Sequence, residues 1–75
     1  MSIIHFKNNS LEEIMRRLAR WYNLQIIWQD ESLKKITFSG ELKRYEEIDQ
    51  LLQMISHTND VKFTNNNKEI YVQKP

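Results

Sequence analysis

Apolar residues recur at helical spacing in the segment that begins at Leu11. They form one stripe along three successive helical turns, with polar side chains on the opposite side. The stripe consists of Leu11, Ile14, Met15, Leu18, Trp21 and Tyr22. Ser10, followed three positions later by Glu13, is a capping box, so the helix should begin directly after Ser10. Asn23 tolerates the left-handed conformation and predicts where the helix ends.

A second amphipathic segment lies in the latter half of the chain. Its apolar stripe consists of Tyr45, Ile48, Leu51, Leu52 and Ile55. Glu46 and Glu47 are expected in the first helical turn, where the helix dipole favours negative charge. Residues 57–60 then predict the loop that follows the helix.

Alternation of apolar and polar residues predicts short strands around these helices. The predicted strands cover residues 3–7, 24–29, 36–42, 61–63 and 69–73. Asn8-Asn9-Ser10 is expected to end the first strand, and Ser39-Gly40 is expected to form a bend or bulge in the third. Asn65-Asn66-Asn67 predicts the turn of a C-terminal hairpin, because asparagine accepts the positive φ of such turns.

The resulting order is β-α-β-β-α-β-β, and its two halves are alike. An alignment of residues 12–14 with residues 46–48 also places Leu18 on Leu52, which indicates a duplicated βαβ unit. We therefore predict an α+β fold in which two helices pack against small sheets, as a single domain over residues 1–75. The core is expected to contain Phe6, Leu18, Ile26, Ile48, Leu52 and Phe63.

The composition of the chain argues against several classes of function. A chain of 75 residues with 40% hydrophobic positions has room for one thin core and none for a buried catalytic cavity, so an enzyme is not expected. The absence of cysteine excludes disulfides, thiolate metal sites and thiol nucleophiles. The net charge of +1 gives little general attraction to nucleic acid or anionic lipid, and no apolar run is long enough to insert into a membrane.

The histidine and serine residues do not predict a metal site or a catalytic nucleophile. His5 and His57 lie in different elements, and neither has a second ligand at helical spacing, so no metal or cofactor is expected. Ser56 and His57 are neighbours on one helix and point about 100° apart, so they do not form a nucleophile–base pair.

The first helix carries Arg16, Arg17 and Arg20 on the side opposite its apolar stripe. This cluster is a candidate phosphate-binding patch, and Arg16 and Arg20 are also candidate protein-binding residues. Glu12 and Glu13 lie four residues before Arg16 and Arg17, so we expect ion pairs that neutralise this side of the helix. Because an aromatic RNA-binding strand and a GxxG loop are both absent, nucleic acid is not predicted as a partner.

The last strand, residues 69–73, is the preferred protein-binding surface. Short sheets leave strand edges with unpaired amides and carbonyls, and a partner strand adds there by backbone hydrogen bonding. Tyr71 would supply an apolar anchor beside Glu69 and Gln73, and Lys62 on the neighbouring strand would supply a charge on the same sheet. The alternative is a central or covered strand in which Tyr71 only packs against its neighbours.

Short motifs spread over nearly the whole chain resemble one known family. They are Phe6-Lys7-Asn8-Asn9-Ser10-Leu11-Glu12-Glu13-Ile14, Leu18, Arg20-Trp21-Tyr22, Ile26, Phe38-Ser39-Gly40, Ile48, Leu51-Leu52 and Ile70-Tyr71-Val72. In this set the sequence resembles the C-terminal domain of FecR-type anti-sigma regulators. It is similar, more distantly, to the secretin and TonB N-terminal signalling domain, which implies a duplicated βαβ fold.

The resemblance implies a protein anchored in the inner membrane of a Gram-negative bacterium, with this domain in the periplasm. Its partner would be the signalling domain of a TonB-dependent outer-membrane transporter, and it would help to control an extracytoplasmic-function sigma factor. Two alternatives stay open. The first is the transporter's own signalling domain, which the ending Arg20-Trp21-Tyr22 disfavours. The second is a ferredoxin-like module that binds a small ligand, which a single four-stranded sheet would indicate.

Overall fold

Two helices and five strands form the described part of the chain, residues 3–44 and 46–75 of a computed structural model. The helices are α1 (Leu11–Tyr22) and α2 (Ile48–Thr58). The strands are β1 (Ile3–Ser10), β2 (Gln25–Trp28), β3 (Thr37–Lys43), β4 (Lys62–Asn66) and β5 (Glu69–Gln73). A short 3₁₀ helix, Glu31–Lys35, lies between β2 and β3. The order of helices and strands is the predicted one, and Tyr45 lies outside the described residues.

The strands form two separate sheets. β1 and β3 pair antiparallel, and β2, β5 and β4 form a three-stranded sheet in that order. β5 is parallel to β2 and antiparallel to β4. This arrangement confirms an α+β fold with helices packed against small sheets, and it excludes the single four-stranded sheet of a ferredoxin-like module.

The start and end of α1 follow from local chemistry. The Ser10 hydroxyl accepts a hydrogen bond from the Glu13 amide at 3.2 Å, while the Glu13 carboxylate accepts from the Ser10 amide, which confirms the capping box. Asn23 ends the helix in the left-handed conformation with φ of 57°. The residues that α1 buries completely are Leu11, Ile14, Met15 and Leu18.

The first strand does not end where the sequence predicted. β1 continues through Asn8-Asn9-Ser10, because a bulge between Phe6 and Asn9 accommodates Asn8 at a φ of 54°. The Asn8 amide donates to the Ser39 hydroxyl at 2.9 Å, which holds the bulge against β3. The expected irregularity at Ser39-Gly40 therefore lies on the opposite strand.

The second helix is shifted relative to its prediction. α2 begins at Ile48, so Glu46 and Glu47 precede it instead of occupying its first turn. Glu47 stands at the N-cap position with an extended backbone and no side-chain capping bond. The helix also continues through His57, where the sequence predicts the following loop. The 3₁₀ helix was not predicted; Asp30 caps it by accepting from the Ser32 amide at 2.9 Å.

The C-terminal hairpin is confirmed, but its turn lies further along the chain. β4 includes Asn65 and Asn66, and the two turn residues are Asn67 and Lys68, with φ of 51° and 69°. Positive φ at both positions is the signature of a type I′ turn, whose twist matches that of the paired strands.

One core lies between the helices and the two sheets. Among the residues predicted for it, Phe6, Leu18 and Leu52 are buried. The other three, Ile26, Ile48 and Phe63, are partly buried and pack against the core from its margin. Among the described residues, neither helix has the length and apolar character needed to span a membrane.

Candidate protein-binding surfaces

The last strand is central in its sheet, so the prediction that it offers a free edge is wrong. Its backbone pairs with β4 on one side and with β2 on the other. The amides of Gln25 in β2 and of Gln29, directly after β2, donate to the carbonyls of Lys68 and Val72, at 2.9 and 3.0 Å. A partner strand cannot add to β5, because its hydrogen-bonding groups are already used on both sides.

The side chains predicted on this strand do share one side of the sheet. Glu69, Tyr71 and Gln73 alternate with the buried Ile70 and Val72. Lys62 lies directly opposite Gln73, and Ile27 lies beside Tyr71. We call this group, Ile27, Lys62, Glu69, Tyr71 and Gln73, the outer sheet face.

Tyr71 is half-buried on the outer sheet face by its own neighbours. Its hydroxyl donates to the Glu69 carboxylate at 3.3 Å, and the Gln73 amide donates to the side-chain oxygen of Gln29. These contacts fit the alternative in which Tyr71 packs within the sheet. The role of Tyr71 in binding a partner stays a prediction.

The expected ion pairs on α1 do not form. The Glu12 carboxylate contacts the Lys34 ammonium at 3.6 Å, and the Glu13 carboxylate caps the helix through Ser10. Arg16 and Arg20 are exposed and make no ion pair with any carboxylate in the described residues. The prediction of a neutralised helix surface is therefore wrong, because other groups of the fold compete for both carboxylates.

A further arginine joins this surface from the end of β3. Arg44 places its guanidinium 5.8 Å from the centre of the Trp21 ring, and Arg17 lies at the same distance from the ring of Phe6. Both separations are within the range of cation–π attraction. We call Arg16, Arg17, Arg20 and Arg44 the arginine cluster. Sequence reasoning missed Arg44, because only the tertiary fold brings it to α1.

A shallow depression lies within the arginine cluster. Its volume is about 480 Å³, and its lining consists of Ile4, Arg17, Arg20, Trp21 and Arg44. Ile4 and Trp21 are half-buried, so they present apolar surface between the guanidinium groups. The depression thus combines positive charge with a hydrophobic wall.

Tyr22 fixes the backbone that carries Arg44. Its hydroxyl is shared between the carbonyl oxygens of Arg44, at 2.5 Å, and Glu46. Burial, followed by the nearby Glu46 carboxylate, raises the pKa of Tyr22 above its ordinary value of 10.0. The hydroxyl is therefore protonated at neutral pH and acts as a donor, which ties the end of α1 to the segment after β3.

The histidines lie apart from this surface and from each other. His5 contacts Glu41 at 3.4 Å on the exposed side of β1, and His57 is exposed near the end of α2. Within residues 3–44 and 46–75, no group of three or more His, Cys, Asp or Glu side chains is placed to hold a metal ion.

Comparison with known proteins identifies the family. The model of the family described as "FecR, C-terminal" matches residues 3–72. The chain belongs to the FecR C-terminal family. No curated protein matches the sequence.

Solved structures share the fold of this FecR C-terminal domain. Two crystal structures of a protein assigned as an anti-sigma factor in Parabacteroides distasonis ATCC 8503 superpose with TM-scores of 0.84 and 0.82, at 16% and 17% sequence identity. Each match covers 99% of this chain and 34% of the other, so the chain spans about a third of these relatives.

Proposed function

We propose that this FecR C-terminal domain is the periplasmic signalling module of a transmembrane anti-sigma regulator. The regulator would be anchored in the inner membrane and would couple a TonB-dependent outer-membrane transporter to an extracytoplasmic-function sigma factor. The signalling domain of that transporter is the proposed partner. The match of the FecR C-terminal model to residues 3–72 carries this proposal.

Two described surfaces support a binding role. The exposed arginines on α1 and the mixed outer sheet face suit contact with another protein. This reading makes the domain a regulatory part of a larger protein.

The direct test is binding between the purified domain and the purified signalling domain of the transporter encoded beside it. We expect a specific complex by isothermal titration calorimetry. In cells, disrupting the complex should alter expression from a promoter that depends on the sigma factor. No heat of binding with the correctly folded partner, together with an unchanged reporter response after deletion of the domain, would refute the proposal.

Two variants locate the interface. Arg16→Ala/Arg20→Ala removes two exposed charges from α1, and Tyr71→Ala removes the candidate anchor from the outer sheet face. If the double variant abolishes binding and Tyr71→Ala leaves it unchanged, the contact is made by α1. The opposite result places it on the sheet. Circular dichroism and thermal unfolding of each variant separate loss of binding from loss of fold.

A further inference from the structure

All four arginines of the sequence belong to the arginine cluster. Arg16, Arg17 and Arg20 lie on adjacent turns of α1, and the fold brings Arg44 to the same side of the molecule. The whole chain has a net charge of only +1, so this concentration of positive charge is local and is balanced elsewhere. The seven remaining cations are lysines outside the cluster.

The carboxylates nearest in sequence to α1's arginines have other partners. Lys34 contacts Glu12 and also Glu31, at 3.6 and 3.0 Å, and Ser10 engages Glu13. Arg16, Arg17 and Arg20 consequently have no carboxylate partner among the described residues. The three exposed guanidinium groups of α1, which pair with no carboxylate of the described residues, are complementary to an acidic partner.

Aromatic rings restrict the guanidinium groups before any partner arrives. The Arg17 and Arg44 side chains each lie over a ring at 5.8 Å, on Phe6 and Trp21 respectively. A guanidinium held in this way loses less conformational freedom when it forms paired hydrogen bonds with a carboxylate. Ile4 and Trp21 supply apolar surface within the same depression.

We propose that the arginine cluster binds an acidic segment of a partner protein, in which an apolar side chain lies next to two or more carboxylates. The carboxylates would pair with Arg17 and Arg20, and the apolar side chain would contact Trp21. This inference rests on the proposed function for the partner being a protein, and it adds the chemistry of the contact.

The small volume of the depression and its apolar wall favour a peptide over nucleic acid or a membrane as the bound partner. Duplex DNA and anionic vesicles bind by long-range attraction to extended basic surfaces, whereas the arginines here form one local cluster on a chain of net charge +1. A depression of about 480 Å³ has room for a few side chains. An apolar wall between the guanidinium groups would add little to binding of a phosphate backbone.

The test uses fluorescence anisotropy with a labelled peptide in which Asp and Glu alternate with Leu. Its counterpart replaces each acid by Asn or Gln. We expect the acidic peptide to bind on the order of tenfold more tightly than the amide peptide, and its affinity to fall with added salt. Equal affinity for both peptides would overturn the proposal. So would binding of duplex DNA or phosphatidylglycerol vesicles as tight as that of the acidic peptide.

Matched variants assign the binding to the cluster. Arg17→Gln/Arg20→Gln should weaken acidic-peptide binding by about tenfold. Lys35→Gln/Lys68→Gln removes the same charge from exposed residues outside the cluster and should change affinity by less than about twofold. Equal losses in the two double variants would show a general charge effect and overturn the proposal. Unfolding midpoints are measured alongside, so that a loss of binding is distinguished from a loss of stability caused by removal of the Arg17–Phe6 contact.

Failure of this inference can be told from failure of the proposed function. If the acidic peptide binds through Arg17 and Arg20 but the transporter's signalling domain does not bind, the proposed function fails and the inference stands. If the signalling domain binds equally well to wild type and to Arg17→Gln/Arg20→Gln, and the acidic peptide does not bind, the inference fails and the proposed function stands.

Discussion

Replacement of Lys68 by glycine should stabilise the domain through the β4–β5 turn. Lys68 has a φ of 69°, in the left-handed region that residues with a Cβ atom disfavour. Its side chain is exposed and makes no ion pair with the described residues, so its removal costs little. Its carbonyl, which accepts from the Gln25 amide, is kept in the variant.

The magnitude is a difference between two opposing effects. Relief of the left-handed backbone gains about 1–2 kcal/mol. The greater conformational freedom of glycine in the unfolded chain lowers the free energy of unfolding by about 0.5–1 kcal/mol. The net stabilisation should therefore be about 0.5–1 kcal/mol, which raises the melting temperature of a domain of this size by several degrees.

Urea unfolding followed by tryptophan fluorescence measures the change, with Trp21 and Trp28 as the two probes. The Lys68→Gly midpoint should rise without a change in the slope of the transition. Lys68→Ala is the matched control, because it removes the charge and the long side chain but keeps the Cβ atom. A lower midpoint for Lys68→Gly, or an equal gain in Lys68→Ala, would refute backbone strain as the cause.

Two further predictions concern the core and the tyrosine at the end of α1. Leu18→Ala and Leu52→Ala should each lower the free energy of unfolding by about 2–5 kcal/mol, because both side chains are buried. Met54→Ala, on the exposed side of α2, is the control and should change this free energy little. Losses below about half a kcal/mol in both leucine variants, measured by urea unfolding, would contradict the assigned buried faces of the helices. Folding raises the pKa of Tyr22 above 10.0, so the unfolded chain loses this proton first and stability should fall as pH rises above that value. Tyr22→Phe should flatten this alkaline decline in melting temperature, and a slope equal to that of the wild type would refute the assignment.

Local signals predicted the bounds of α1 and the existence of the C-terminal hairpin. The capping box at Ser10 and the left-handed Asn23 act within a few residues, so their effect is visible in sequence. The order of strands in a sheet is a different kind of information. Periodicity showed which residues of β5 are buried, but not that β2 would lie beside it and make it central.

The prediction of ion pairs on α1 was wrong for a similar reason. A spacing of four residues allows Glu12 to pair with Arg16, but the Glu12 carboxylate contacts Lys34 of the unpredicted 3₁₀ helix instead. Arg44 reaches the same surface through the β1–β3 pairing, which places the end of β3 beside the start of β1. Neither the Lys34–Glu12 contact nor the position of Arg44 beside α1 can be predicted without the tertiary fold.

The pairing of strands has a consequence for how the domain folds. Neither half of the duplicated chain contains a complete sheet: β1 pairs with β3, and β2 pairs with β5, so that residue 25 meets residue 69. The chain must close long loops before these ladders form, which slows folding relative to helical proteins of similar length. Unfolding of the first half removes the partner strand of β3 and exposes one edge of β5, although β4 and β5 still pair with each other. The two repeats should therefore fold and unfold together, as a single cooperative unit.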